Sequence, residues 1–280
     1  MPEPAPLDLP AYWRRIGFEG PADPTLTTLA ALVACHARSI PFENIDVLAR
    51  RVPSLDIDDL QAKLVMRRRG GYCYEQNTLF MAVLLAMGFR VRAMEARVRS
   101  RVPAGVVTGR SHMALRVTME GIDHLVDVGF GGQAPLAPLR LHDPEPQAAP
   151  GSVYRWVGMD GERLLQLQGA QDWSDCYSVI DQDLQAPDRE IGNWYAATYP
   201  GFALALNLVL GRATDDARLI LWNLQLTVRS HAGGQAREST LGGVAEVADV
   251  MADAFGLVLT RSEVDTAYAV AARASERLSH

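Results

Sequence analysis

The stretch S-H-M-A-L-R-V-T-M-E-G-I-D-H-L-V-D-V, Ser111 to Val128, reads as two strands joined by a turn. Met113, Leu115, Val117 and Met119 recur at period two and form an apolar face, so His112 shares the opposite face with Arg116 and Thr118. Glu120-Gly121 supplies the turn. A two-residue turn there sets Leu115 opposite Val126 and makes His112 and Asp127 diagonal neighbours on one face. Such neighbours lie about 7–8 Å apart between backbones, close enough for an imidazole to meet a carboxylate. A turn one residue earlier would pair them directly. By the same parity His124 points to the apolar side and reads as structural. An acid on a histidine fixes its tautomer and leaves the other ring nitrogen free to accept a proton.

A base of this kind needs a nucleophile, and the sequence upstream offers one. In R-R-R-G-G-Y-C-Y-E-Q-N, Arg67 to Asn77, two glycines deliver Cys73 onto the first turn of a helix. A thiol attacks as thiolate, a form that a helix N-terminus favours through its unpaired N–H groups. Cys35 lies on an apolar helix face and Cys176 in W-S-D-C-Y, and neither has a comparable setting. Of the other histidines, His280 is terminal, His142 and His231 lie in Pro/Gly-rich loops, and His36 sits beside Cys35 on a helix. Cys73, His112 and Asp127 therefore form a candidate Cys-His-Asp triad, provided that the hairpin packs against the helix carrying Cys73. Otherwise His112 is a solvated strand residue and Asp127 an edge residue.

Around these segments the chain divides by period. Helices are expected at Leu9 to Phe18, Leu26 to Ala37, from Asp58 or Asp59 to the arginine cluster, and from Cys73 to Met87, where Gly88 ends the last. Beyond Gly88 the pattern turns to strands: Val91/Ala93 and Ala96/Val98 with a parity slip near Glu95, the hairpin, Tyr154 to Val157 and Leu164 to Leu167. Strands are further expected at Leu204 to Leu210, Ile220 to Leu221 and Leu226 to Val228, then helices from Val244 and Ser262. The class is α+β, with a helical segment at 1–87, a β-barrel or curled sheet at 88–195 and a mixed segment at 196–280.

Composition narrows the chemistry. The 280 residues carry a formal charge of −6, which argues against a nucleic-acid partner. Three cysteines without C-x-x-C spacing exclude a disulfide framework or a cysteine zinc site and suit a reducing, cytoplasmic setting. The acidic, proline-rich N-terminus is no signal peptide, and no apolar run is long enough for a membrane span. No metal site is expected.

The motif R-G-G-Y-C-Y-E-Q-N resembles the signature R-G-G-x-C-x-E-x-N of the arylamine N-acetyltransferases. P-F-E-N-I-D-V at Pro41 to Val47, S-H-M-A-L-R-V, V-D-V-G-F-G-G and N-W-Y at Asn193 to Tyr195 resemble further segments of that family in order and spacing. The resemblance implies a helical bundle, a β-barrel and an α/β lid, with a papain-like triad of Cys73, His112 and Asp127. It implies acetyl-CoA as co-substrate, an acetyl-cysteine intermediate, and transfer to the nitrogen of an arylamine or arylhydrazine or the oxygen of an arylhydroxylamine. Thr108-Gly109 resembles by position a loop that contacts coenzyme A. Glu43 and Arg69 are expected to pair as scaffold, Phe42 to be core, and Phe130-Gly131-Gly132 to line the acyl site or to form a turn.

The chain departs from the family after Tyr195, with A-A-T-Y-P-G-F-A where relatives carry a threonine/serine-rich stretch. That leaves acceptor and acyl donor open. Alternatives are an amide synthase acting on aryl-amine polyketides, a Cys-His-Asp hydrolase or transglutaminase, and a non-enzymatic binding module.

Overall fold

A computed structural model describes residues 7–103, 105–169 and 172–278. The chain opens with α1 (Leu9–Ile16) and α2 (Leu26–Ser39), followed by a two-residue strand β1 (Phe42–Glu43) and a short helix α3 (Ile45–Leu48). Helix α4 (Ile57–Leu60) runs on as a π-helical turn, Gln61–Met66, and α5 (Cys73–Ala86) follows. Asp8 caps α1 through its carboxylate and Thr25 caps α2 through its hydroxyl. Gly88 adopts φ +83°, ending the α5 segment in the left-handed turn that its position predicts.

The next segment holds β2 (Arg90–Val98), β3 (His112–Met119), β4 (Ile122–Val126), β5 (Leu139–Arg140), β6 (Gln147–Ala149), β7 (Ser152–Met159), β8 (Glu162–Gln168) and β9 (Trp173–Asp183). They form one antiparallel sheet in the order β5-β4-β3-β2-β9-β8-β7-β6. Its edge strands are joined through side chains: Gln147 Nε2 donates to Arg140 O at 2.9 Å, and Arg140 N donates to Gln147 Oε1 at 2.7 Å. Trp156 Nε1 also donates to Arg140 O. The curled sheet is thereby a nearly closed barrel.

After α6 (Ala186–Thr198) and α7 (Ala203–Leu206) come β10 (Val209–Ala213), β11 (Ala217–Trp222), β12 (Gln225–Ser230) and β13 (Arg237–Thr240), then α8 (Val244–Asp253) and α9 (Arg261–Leu278). The second sheet runs β1-β10-β11-β12-β13, so an N-terminal strand is built into the C-terminal sheet. The span Leu204 to Leu210 is thus not one strand: its first residues close a helical turn, and pairing begins at Val209. Strand β9 has no strand signal in the sequence because it lies between β2 and β8 and buries Cys176 through Val179 consecutively, which erases the alternation. The irregularity near Glu95 lies in the β2–β9 ladder, between Met94 and Ala96. Ala93 and Ala96 nevertheless lie in different cores, the first against the helices and the second inside the barrel.

What positions the site is the packing of α5 across β2 and β3. Leu79, Phe80 and Val83 of α5 share one core with Met113, Leu115 and Val117 of β3. Each such side chain, fully buried, contributes about 1.5–3 kcal/mol relative to exposure. The other face of β3 is also buried: Ala114 joins Met94, Leu125 and Tyr177 inside the barrel. His112 is therefore enclosed at the barrel end and is no solvated strand residue. Among the described residues no helix is long and apolar enough to cross a membrane.

Candidate active site

The hairpin has the register its alternation predicts, with Leu115 opposite Val126 and Thr118 opposite Asp123. Asp127 lies just beyond β4, diagonal to His112. Their side chains meet directly, His112 Nε2 donating to Asp127 Oδ2 at 2.7 Å. Both are buried, 2% and 1% exposed, so this hydrogen bond is shielded from water.

The other carboxylate oxygen is equally engaged. Asp127 Oδ1 accepts from Asn77 Nδ2 at 2.9 Å and from Gly129 N at 2.8 Å. Asn77 also donates to Met113 O and accepts from Val128 N. One side chain on α5 thus ties both hairpin strands to the helix of Cys73. Asn77 lies one turn beyond Cys73, on the same helix face. The spacing of the cysteine motif contains that signal, although the sequence reading assigned Asn77 no role.

Cys73 is the first residue of α5 and is 4% exposed. Its Sγ lies 3.9 Å from the carbonyl oxygen of Ser111, the residue before His112. Gly129 presses on this point: a Cβ there would come within 2.7 Å of Cys73 Cα. Gly70 is equally constrained, with Pro41 O only 2.2 Å from the position of a Cβ. The glycines let the loops approach the nucleophile closely, a contact no larger residue permits.

The electrostatics favour a charged pair. Burial alone would lower the His112 pKa, but the Asp127 charge and hydrogen bond, assisted by a hydrogen bond with Cys73, push it up to about 10. Burial would raise Asp127, yet His112, Asn77 and the Gly129 N–H hold it below the usual carboxylate range. With Nε2 committed to Asp127, Nδ1 is the ring nitrogen left for the thiol. Phe130 and Tyr177 flank the imidazole at centroid distances of 5.0 and 4.8 Å. The Tyr177 hydroxyl sits in the field of Asp127 without reaching hydrogen-bond geometry.

The remaining sequence candidates are placed as follows. His124 is buried and its Nδ1 contacts Ile122 O at 3.2 Å, a local backbone contact. His36 bonds Tyr12 and Gln76, and burial pulls it down to about 3, so it is a neutral core residue. Phe42 is core and Gly131–Gln133 is a 3₁₀ turn. Arg69 grips Glu43 through Nε at 3.1 Å and Nη2 at 2.7 Å, the scaffold pair expected. The Thr108 hydroxyl donates to Val98 O at 2.9 Å, and Gly109 lies beside Tyr195. A cleft of about 470 Å³, lined by Glu95, Gly109, Arg110, Gly192 and Tyr195 among others, opens there; Cys73, His112 and Asp127 do not line it.

Residues 25–264 match the N-acetyltransferase family. The chain belongs to the arylamine N-acetyltransferase family. It is 39% identical over 256 residues to an arylamine N-acetyltransferase of Mycobacterium tuberculosis, covering 90% of this chain and 89% of the relative. It is similar in structure to Mycobacterium marinum arylamine N-acetyltransferase in complex with CoA, with a TM-score of 0.89, 35% identity, and 94% and 99% of the two chains covered. A more distant relative is the proansamycin X synthase of Amycolatopsis mediterranei, 34% identical over 187 residues, which are 65% of this chain and 71% of that protein. As a member of the arylamine N-acetyltransferases, the chain is an acyltransferase, and the α+β arrangement of helices and barrel is the family's fold.

Proposed function

We propose that this acyltransferase works in two half-reactions through an acetyl group carried on Cys73. His112 holds the thiol proton at Nδ1, as the imidazolium that Asp127 favours, and the thiolate attacks the carbonyl of acetyl-CoA. The tetrahedral adduct collapses by breaking the carbonyl bond to the coenzyme A sulfur, which leaves with a proton from the imidazolium. An arylamine or arylhydrazine nitrogen, or an arylhydroxylamine oxygen, then attacks the acetyl-cysteine. His112 removes the acceptor's proton and the Cys73 sulfur departs. Asp127 holds the imidazole in the tautomer that serves both steps and steadies its charged form.

The observation that carries this reading is the 2.7 Å bond from His112 Nε2 to Asp127, which leaves Nδ1 for a thiol at the start of α5. The Thr108-Gly109 loop is proposed to meet coenzyme A, the exposed Gly109 allowing close approach to its pyrophosphate. Intact mass after incubation with acetyl-CoA alone should rise by one acetyl group, and Cys73→Ser should abolish the gain. No gain with wild-type protein rules out the scheme.

The similarity to proansamycin X synthase supports a second reading, amide bond formation on an aryl amine from a larger acyl donor. The two separate on the donor: acetyl-CoA loads Cys73 in the first, and an acyl chain on a carrier loads it in the second.

A further inference from the structure

Of the chain's 27 basic residues one is lysine, Lys63. It is not on the surface. It projects from the π-helical turn into the space beneath α5, 8% exposed. Its Nζ lies 2.5 Å from Asp46 Oδ2, 2.6 Å from Glu75 Oε1 and 4.0 Å from Glu43 Oε1. Two of these carboxylates have other cations: Arg69 grips Glu43, and Arg51 holds Asp46 through Nε at 3.1 Å and Nη2 at 2.5 Å. Glu263 of α9 reaches Arg69 at 2.8 Å and Arg51 at 3.5 Å, completing the cluster. Among the described residues Glu75 has Lys63 as its one cation, and its second oxygen accepts the N–H of Tyr72 at 3.1 Å, the residue immediately before Cys73.

We infer that Lys63 is a positioning residue for the nucleophile, holding the Glu75 carboxylate as the cap that fixes the backbone at Tyr72-Cys73. The inference rests on the reading of Cys73 as the nucleophile. A carboxylate at a helix start pairs with unsatisfied N–H groups, but burying it at 2% exposure requires a cation. The residue type follows from the geometry. Three carboxylates from separate elements converge on the single atom Nζ, which suits a compact ammonium; a guanidinium spreads its donors over a wider planar fork. Both pKa values are raised, which favours the charged form of Lys63 and the neutral form of Glu75. Lys63 is raised because, against burial, it answers three carboxylates. Glu75 is raised to about 7, because burial together with repulsion from Glu43 exceeds the attraction of the ammonium it shares. Lys63 is thus the group on which the Glu75 charge depends.

The test uses full-length Lys63→Met, Lys63→Arg, Glu75→Gln, and Lys63→Met combined with Glu75→Gln or with Asp46→Asn. Alkylation of Cys73 by iodoacetamide is followed by peptide mass from pH 6 to 9, beside kcat and KM for acetyl transfer. Lys63→Met and Lys63→Arg should each slow alkylation at neutral pH by about tenfold, as expected when a reacting group is displaced by a fraction of an ångström. Adding Glu75→Gln should restore the rate to within about threefold, because an amide oxygen accepts the Tyr72 N–H without needing a cation. Adding Asp46→Asn should restore nothing. If Lys63→Met does not fold, recovery of folding by Glu75→Gln and not by Asp46→Asn carries the same information. Wild-type alkylation in Lys63→Met, or recovery by both second changes or by neither, overturns the inference. Alkylation needs no acetyl-CoA, so a wild-type protein that alkylates normally but takes up no acetyl group would count against the acetyl-transfer scheme and leave this result standing.

Discussion

Asp127 and Glu75 are both carboxylates bonded to the first two turns of α5, 1% and 2% exposed, yet their pKa values move in opposite directions. Burial raises both. Asp127 overcomes it because His112, Asn77 and Gly129 each give it a hydrogen bond. Glu75 has one ammonium and one N–H, with Glu43 repelling it. What separates them is the number of donors facing each and the number of rivals for the same cation. The first arrangement secures a charged pair beside the thiol; the second fixes a backbone segment.

The change expected to separate the two most sharply is Asp127→Asn. Two N–H donors, from Asn77 and Gly129, already point at Oδ1, so the new amide must keep its oxygen there and turn its NH₂ toward His112. Nε2 must then accept, which puts the ring proton on Nδ1, facing the thiol, where no further proton can be taken. A loss of about 10⁴ in kcat is expected, the scale of a wrong-tautomer defect, with KM little changed. Steady-state kinetics measure it, and a loss below about tenfold would place Asp127 outside the proton transfer. The fold should survive, because all the hydrogen bonds can be re-formed.

The second region predicts the reverse balance. Arg69→Met leaves Glu43, with 0% of its side chain exposed, the Ile45 N–H at 2.7 Å and, as its cation among the described residues, Lys63 at 4.0 Å. Breaking a buried pair from one side costs about 3–5 kcal/mol, because a desolvated charge remains. Urea unfolding should show that loss, with kcat of the surviving folded fraction changed far less than in Asp127→Asn. A fold unaffected by Arg69→Met would make the cluster dispensable and remove the contrast.

The two clusters were unequally legible in the sequence, for physical reasons. His112 and Asp127 sit on a hairpin, where period-two alternation and turn length fix which side chains share a face, so their meeting could be worked out from letters alone. The packing of that hairpin on α5 could not, since it depends on a core assembled from Leu79, Phe80, Met113 and Leu115 across the chain. The Lys63 cluster joins β1, α3, the π-helical turn, α5 and α9. No local pattern links residues so far apart, and a solitary lysine near an arginine run looks like an exposed charge. Strand β9 was missed for the related reason that burial on both faces removes its alternation.

The last expected effect is a slope, at most about 1.4 kcal/mol per pH unit for each group, and it discriminates between the regions by sign and position. Glu75 binds its proton more tightly in the folded state, about 7 against an ordinary 4.5, so its contribution to stability is complete below 4.5 and is lost as pH rises through 7. His112, raised from 6.5 to about 10, contributes stability that is complete below 6.5 and is lost as pH rises through 10. Asp127, held below its ordinary 3.8, contributes above that value and loses its contribution only as pH falls further. Unfolding free energy measured from pH 4 to 10 should therefore fall in two stages. Glu75→Gln should flatten the first stage and leave the second, whereas His112→Gln should flatten the second and leave the first. If Glu75→Gln flattened the alkaline stage as well, the clusters would be titrating as one unit, and the separation drawn from Asn77 on one side and Lys63 on the other would fail.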